Sequence, residues 1–331
     1  MEMFFAALVV GVVVGLTGMG GGALMTPMLV LGFGVPPLTA VSSDIVASTV
    51  MKPVGSIVHI RRGTVNWQLV KLLVIGSVPS AFLGVLLVQM FGEDEQIQHF
   101  IKQALGVALI LAAAGLGVRA YMRLRERAQA RDGSAEPLPT ERPDPEPRVL
   151  ATILVGVFGG LIVGLTSVGS GSLMIIAMMA LYPTLRASQL VGTDLVQAVP
   201  LVFAAAAGHL LFGDVDWAVA LPVIAGSVPG AFIGAQISSR VGGAPVRRAL
   251  AFVLLFSGLA MLGLGTYASV AIVVAAAALT PVVWILLRRQ QGFTPYWWHE
   301  RLVDHEAAAD KAAQERRAKA KELDELDRED S

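Results

Sequence analysis

The stretch Gly15-Leu16-Thr17-Gly18-Met19-Gly20-Gly21-Gly22-Ala23-Leu24-Met25 returns later in the same chain as Gly164-Leu165-Thr166-Ser167-Val168-Gly169-Ser170-Gly171-Ser172-Leu173-Met174. Gly76-Ser77-Val78-Pro79 likewise returns as Gly226-Ser227-Val228-Pro229. Between them His59 aligns with His209, Gly63 with Gly213, Trp67 with Trp217 and Ser43-Asp44 with Thr193-Asp194. The offset is 149 at the first motif and 150 at the later ones, a single one-residue slip. That period far exceeds the roughly 20–50 residues of solenoid repeats. Duplication on this scale in an apolar chain is a feature of membrane transporters, which often build one site between related halves.

Composition supports the membrane reading. Hydrophobic residues make up 55% of the chain and charged residues 15%, with a mean hydropathy of +0.67, whereas a soluble domain carries about 25% charged residues. Apolar runs at 69–90, 101–118, 151–181 and 270–287 approach or exceed the roughly 20 residues that cross a bilayer. The expectation is an all-α integral membrane protein. The net charge is zero, so no basic footprint points to nucleic acid. The chain has no cysteine, which removes disulfides, thiolate metal sites and thiol chemistry. Met1-Glu2-Met3-Phe4-Phe5 lacks the positive start of a cleaved signal, so it reads as retained transmembrane structure.

Four apolar blocks, 3–32, 38–60, 67–91 and 99–121, form a first repeat over 1–121. A proline-rich polar linker at 122–148 cannot bury a core. The second repeat runs through 149–182, 187–212, 217–239 and 247–266 and adds an unmatched block at 268–288. A charged tail, 289–331, follows; it reads as a solvated helix, with a partner-binding or homodimer helix as the alternative. The 3–32 block is too long for one simple span, and Gly18, Gly20, Gly21, Gly22 and Pro27 interrupt it. Two shorter helices meeting at the glycines are expected, covered by neighbours that satisfy the open backbone.

Loop charges give the orientation. Arg61-Arg62 and the arginines at 119, 123, 125 and 127 lie inside, and Gly92-Glu93-Asp94-Glu95 outside. In the second repeat the signs reverse: Asp214 and Asp216 read as outside, and Arg240, Arg247, Arg248 and Arg288-Arg289 as inside. These signs predict two repeats inverted in the membrane, with broken or re-entrant glycine-rich segments.

Three groups of residues carry candidate function. Half-helices starting near Gly20 and Gly169 would aim unpaired N–H groups toward the membrane interior, an anion site to which hydroxyls contribute. The candidate substrate contacts are Thr17, Gly18, Gly20, Gly21, Gly22, Thr166, Ser167, Gly169, Ser170, Gly171 and Ser172; tight glycine packing alone is the structural alternative. The next helix holds the candidate coupling residues Ser43, Asp44 and Lys52, and its counterpart holds Thr193, Asp194 and Gln197. Asp44, Ser48 and Lys52 form one helical stripe. Ionisable groups at membrane depth cost about 2.5–3.5 kcal/mol each and mark function, although the two aspartates could also cap helix starts. Lys52 has Val202 as its counterpart; it either pairs with Asp44, neutralises an anion or snorkels to the interface. His59 and His209 lie about 22 Å along a helix from the aspartates and read as interfacial packing beside Trp67 and Trp217, with a proton gate or shuttle at opposite faces as the alternative. No catalytic motif or metal-ligand pattern is present, so neither an enzyme nor a cofactor is expected.

The glycine motif, the Gly-Ser-Val-Pro blocks followed by Ala81-Phe82-Leu83-Gly84 and Ala231-Phe232-Ile233-Gly234, and the runs His59 to Trp67 and His209 to Trp217 resemble the TauE/SafE family of sulfite and organosulfonate permeases over most of 5–266. The resemblance implies a multi-pass protein of the bacterial inner membrane that moves a small sulfur oxyanion or sulfonate using the proton gradient. The three serines of the second motif depart from the glycines of the first. The alternatives are an anion channel and a membrane-embedded interaction protein that works through its tail.

Overall fold

The computed structural model describes residues 1–17, 21–90, 95–131, 145–171, 173–185, 187–212, 215–238 and 244–293. The expectations for Gly18, Gly20, Ser172, the acidic loop at 92–94, Asp214, Arg240, linker residues 132–144 and the tail from 294 lie outside them. The described residues are mostly helical and contain no named strand. The helices are α1 (Glu2–Thr17), α2 (Gly22–Pro27) running into a π-turn over Met28–Gly32, α3 (Pro37–Arg61), α4 (Trp67–Met90) and α5 (Glu95–Arg131). The second half repeats the order with α6 (Val149–Thr166), α7 (Leu173–Leu181), α8 (Ala187–Phe212), α9 (Trp217–Ser238) and α10 (Ala244–Met261), then adds α11 (Thr266–Gln290). Six of these helices are long and apolar enough to cross a membrane. Helix α3 is not among the six, because Asp44, Lys52 and several serines lower its hydropathy. Helix α5 continues as helix past position 121, through Arg131.

The chain divides into two compact units. The larger comprises Met1–Ala120 and Pro139–Ala276, and the smaller Tyr121–Leu138 and Ala277–Ser331. In the smaller unit Leu124, Ala128 and Phe293 pack with Trp284 and Leu287, and the Arg288 guanidinium lies 5.4 Å over the Phe293 ring.

In the larger unit the 3–32 block is split as its glycines predict, into α1 and a short second segment. Met3, Ala7 and Val10 of α1 cluster with Phe33, Val35 and Ala40 around the start of α3, and with Val219 and Val223 at the start of α9. The other end of the glycine motif meets the middle of α3, where Gly21 faces Asp44 and Met51. The segment 22–32 therefore leads back to the end from which α1 began.

Glycines explain how the helices approach. Lipid tails give apolar side chains no reason to leave them, so membrane helices associate through close packing and polar contacts. A Cβ at Gly226, Gly230 or Gly234 of α9 would overlap the carbonyls of Phe4, Leu8 and Val12 of α1. The ascending register makes α1 and α9 parallel. A Cβ at Gly76 of α4 would overlap the Ile153 carbonyl of α6, and Gly160 and Gly164 of α6 press the same way on Ser77 and Ala81 of α4. Each repeat thus lends its first helix to the fourth helix of the other. Helices α3 and α8 run antiparallel between these pairs: Ser42 meets His209 and Ser56 meets Leu195. Ile45, Leu105, Leu109, Leu201 and Leu254 fill the interior, while Phe5, Ile75, Phe158 and Phe232 point outward, as suits a lipid-facing surface.

Candidate functional site

Helix α3 buries more polar side chains than a spanning helix normally carries, among them Ser42, Ser43, Asp44, Ser48, Lys52 and Ser56. Burial of such groups is costly unless each finds a partner, and most do so across the repeat boundary. Asp44 is 0% exposed. Its Oδ2 accepts hydrogen bonds from Ser167 Oγ at 2.6 Å and Thr26 Oγ1 at 3.0 Å. Its Oδ1 and the Ser43 hydroxyl are buried without a partner. Lys52, two helical turns on and 6% exposed, donates from Nζ to Ser170 Oγ at 2.6 Å. Both serines belong to the second glycine motif, so one stripe of α3 grips the loop between α6 and α7.

Helix α8 supplies the counterpart. Asp194 is 1% exposed. Its Oδ1 accepts from Gln197 Nε2 at 3.1 Å, the backbone N–H of Gly171 also donates to the carboxylate, and Oδ2 is buried without a partner. The Gln197 amide also touches Met174 Sδ at 2.7 Å, and its Oε1 accepts from Ser77 Oγ at 3.2 Å. Lys52 lies within electrostatic reach of both aspartates, and Arg119 of α5 within reach of Asp194. Thr193 Oγ1 accepts from the Asn66 N–H at 3.0 Å and ties the second turn of α8 to the turn before α4.

The second motif needs its glycines for backbone reasons. Ser167, Gly169 and Gly171 adopt φ values of +57°, +148° and +93°, a region that L side chains rarely occupy. Among the described residues Ser167 is the one non-glycine with positive φ. Its hydroxyl on Asp44 and its N–H on the Val163 carbonyl, at 2.8 Å, hold it there. The two motifs abut, since a Cβ at Gly22 would overlap the Ser167 carbonyl. Helices α2 and α7 start at this junction, as the half-helix reading expects.

Several expectations change. Asp44 and Asp194 lie about two turns inside α3 and α8, so neither caps a helix start. Lys52 is buried against Ser170 and does not snorkel to the interface. Thr17 and Thr166 turn their hydroxyls back onto their own helices, to the carbonyls of Val13 at 2.8 Å and Ile162 at 2.6 Å. The histidine pair splits. His59 is half-buried and meets Thr64 in its own hairpin. His209 is 1% exposed; its Nε2 lies 3.1 Å from the Gly164 carbonyl and its Nδ1 2.8 Å from Ser42 Oγ, so interfacial packing does not describe it. The carbonyl can only accept, so in the neutral ring Nε2 carries the proton and Ser42 donates to Nδ1. Thr26, Ser77 and Arg119 join the centre although sequence reasoning did not select them. Ser77 sits in a repeated block and Thr26 directly follows the first motif, which is the signal that was available.

Residues 3–261 match the family model described as sulfite exporter TauE/SafE. The chain is 41% identical over 262 residues to the probable membrane transporter protein YjnA of Bacillus subtilis, covering 79% of this chain and 99% of that one. It is 22% identical over 264 residues to the probable membrane transporter protein YdhB of the same organism, covering 79% and 100%. For the probable membrane transporter protein YunE the identity is 25% over 264 residues, covering 76% and 93%. No solved structure matches the chain.

Proposed function

This chain belongs to the sulfite exporter TauE/SafE family of membrane transporters, and from that premise we propose that it is a secondary transporter of a small anion, sulfite or an organosulfonate, coupled to the proton gradient. We read its two halves as repeats inverted in the bacterial inner membrane. The antiparallel pairing of matched helices α3 and α8, the return of 22–32 toward the start of α1, and the reversed loop charges support this.

The observation that carries the anion reading is Lys52. Among the described residues the buried ammonium donates a hydrogen bond to a neutral serine, and Asp44 and Asp194 act on it electrostatically without a hydrogen bond, whereas a buried charge is best satisfied by a direct ionic partner. An oxyanion beside Ser170 would supply that partner with charge-assisted hydrogen bonds. Gly21 has no neighbour closer than ordinary van der Waals contact on its open side, which allows close backbone approach, and the starts of α2 and α7 add favourable dipole ends. Asp44 or Asp194 takes up the coupling proton, and one repeat rocks against the other about this centre.

Reconstitution tests the proposal. Vesicles containing the protein should accumulate labelled sulfite or a sulfonate against its gradient when a pH difference is imposed. Flux that never exceeds equilibrium would make the protein a channel, and absence of flux for every sulfur oxyanion and sulfonate would remove the substrate assignment.

A further inference from the structure

The two matched aspartates differ in whether their surroundings can hold a proton. Around Asp44 the hydrogen-bond partners are hydroxyls, Ser167 Oγ and Thr26 Oγ1, both on Oδ2. A hydroxyl donates to a carboxylate and, after rotation, accepts from a carboxylic acid. Thr26 lies in α2, so its hydroxyl can turn to the carbonyl one helical turn back. Around Asp194 the partners are N–H groups, Gln197 Nε2 and the Gly171 backbone. These only donate. The Gln197 amide is set to donate here, with its Oε1 accepting from Ser77 and its Nε2 also meeting Met174.

The charges agree with that division. Among the described residues Asp194 feels two cations, Lys52 and Arg119, and Asp44 feels one, Lys52. The other titratable group near Asp44 is His209 of α8, which contacts it only through neighbouring Ser42. Helices α2 and α9 and the loop after α6 bring no titratable side chain. Adding one proton to Asp44 removes one negative charge, which offsets the arrival of a monoanion.

We infer that Asp44 alone carries the coupling proton, taken from water and returned to water as one proton per anion, while Asp194 stays ionised as the fixed counter-charge of Lys52. This rests on the proton-coupled reading above and assigns its proton to one residue of the matched pair. Arg119 is a positioning residue here, acting through Asp194.

Infrared spectroscopy of the purified full chain in lipid nanodiscs tests the assignment without substrate. The wild type should show a buried carboxylic C=O band that titrates with pH. Asp44→Asn should abolish that band and Asp194→Asn should retain it. If Asp44→Asn fails to fold, Asp44→Glu should shift the midpoint of the band and Asp194→Glu should leave it unmoved. A titrating band that survives Asp44→Asn, or disappears in a folded Asp194→Asn protein, overturns the inference. With sulfite as the probe, a pH-indicator dye should register one proton taken up per anion bound by the wild type and by Asp194→Asn, and none by Asp44→Asn. A wild type that binds no sulfite counts against the substrate proposal, whereas the infrared band still decides between the aspartates.

Discussion

The helix pairs α1–α9 and α4–α6 keep the duplication almost residue for residue, while the polar centre between α3 and α8 has lost it. Gly226 under the Phe4 carbonyl corresponds to Gly76 under the Ile153 carbonyl, and Gly11 against Ser227 corresponds to Gly160 against Ser77. In the centre, Lys52 has Val202 opposite it, hydroxyls around Asp44 face N–H groups around Asp194, and one histidine is buried while the other is not. Packing tolerates no drift, because a methyl group placed on a carbonyl has nowhere to go. A site for one small substrate and one proton gains nothing from two equal halves.

The largest effects should come from the symmetric scaffold. Gly226→Leu and Gly76→Leu should each destabilise the protein by about 3 kcal/mol or more, and detergent-solubilised variants should lose their cooperative thermal transition to a similar degree. Unequal losses would show that the two helix pairs are not equivalent in energy. Lys52→Met should weaken anion binding by about 2–3 kcal/mol, on the order of 100-fold, and should lower the melting temperature because Asp194 loses a counter-charge. Val202→Lys added to that variant should not restore binding, and restoration would mean that the centre is still two-fold.

A smaller contrast lies in the pH dependence of transport. Asp44→Asn should flatten the rate–pH profile, whereas Asp194→Asn should lower the rate by about tenfold and keep the profile's shape. Exchanged outcomes would move the coupling proton to the second repeat. The smallest expected difference concerns the histidines. His209→Ala removes two buried contacts and should cost about 1–3 kcal/mol of stability, while His59→Ala should stay within about 0.5 kcal/mol. Chemical denaturation of the two variants side by side would measure the gap.

Much of this was legible in the chain. The Gly-Ser-Val-Pro blocks announced the glycine-packed helices, and Gly18 to Gly22 announced the break between α1 and α2. The stripe Asp44–Ser48–Lys52 announced a polar centre. The partners were not legible. Ser167 lies 123 residues from Asp44, and Ser170 lies 118 from Lys52. No local spacing encodes such pairs, and each hydroxyl could equally have turned back onto its own helix, as Thr17 and Thr166 do. His209 was misplaced for a related reason: its position in the helix was read correctly, but its distance from the lipid interface depends on what packs beside it.

Sequence by itself therefore determined the solvent, the helices and the duplication, because hydropathy, period and repetition are properties of neighbouring residues and aligned segments. The tertiary structure alone decided which polar atoms meet. Lys52 as a candidate anion ligand, the split between two equivalent-looking aspartates and the burial of one histidine of a pair all follow from contacts between distant segments. In a low-dielectric interior those contacts set the energy of each charge.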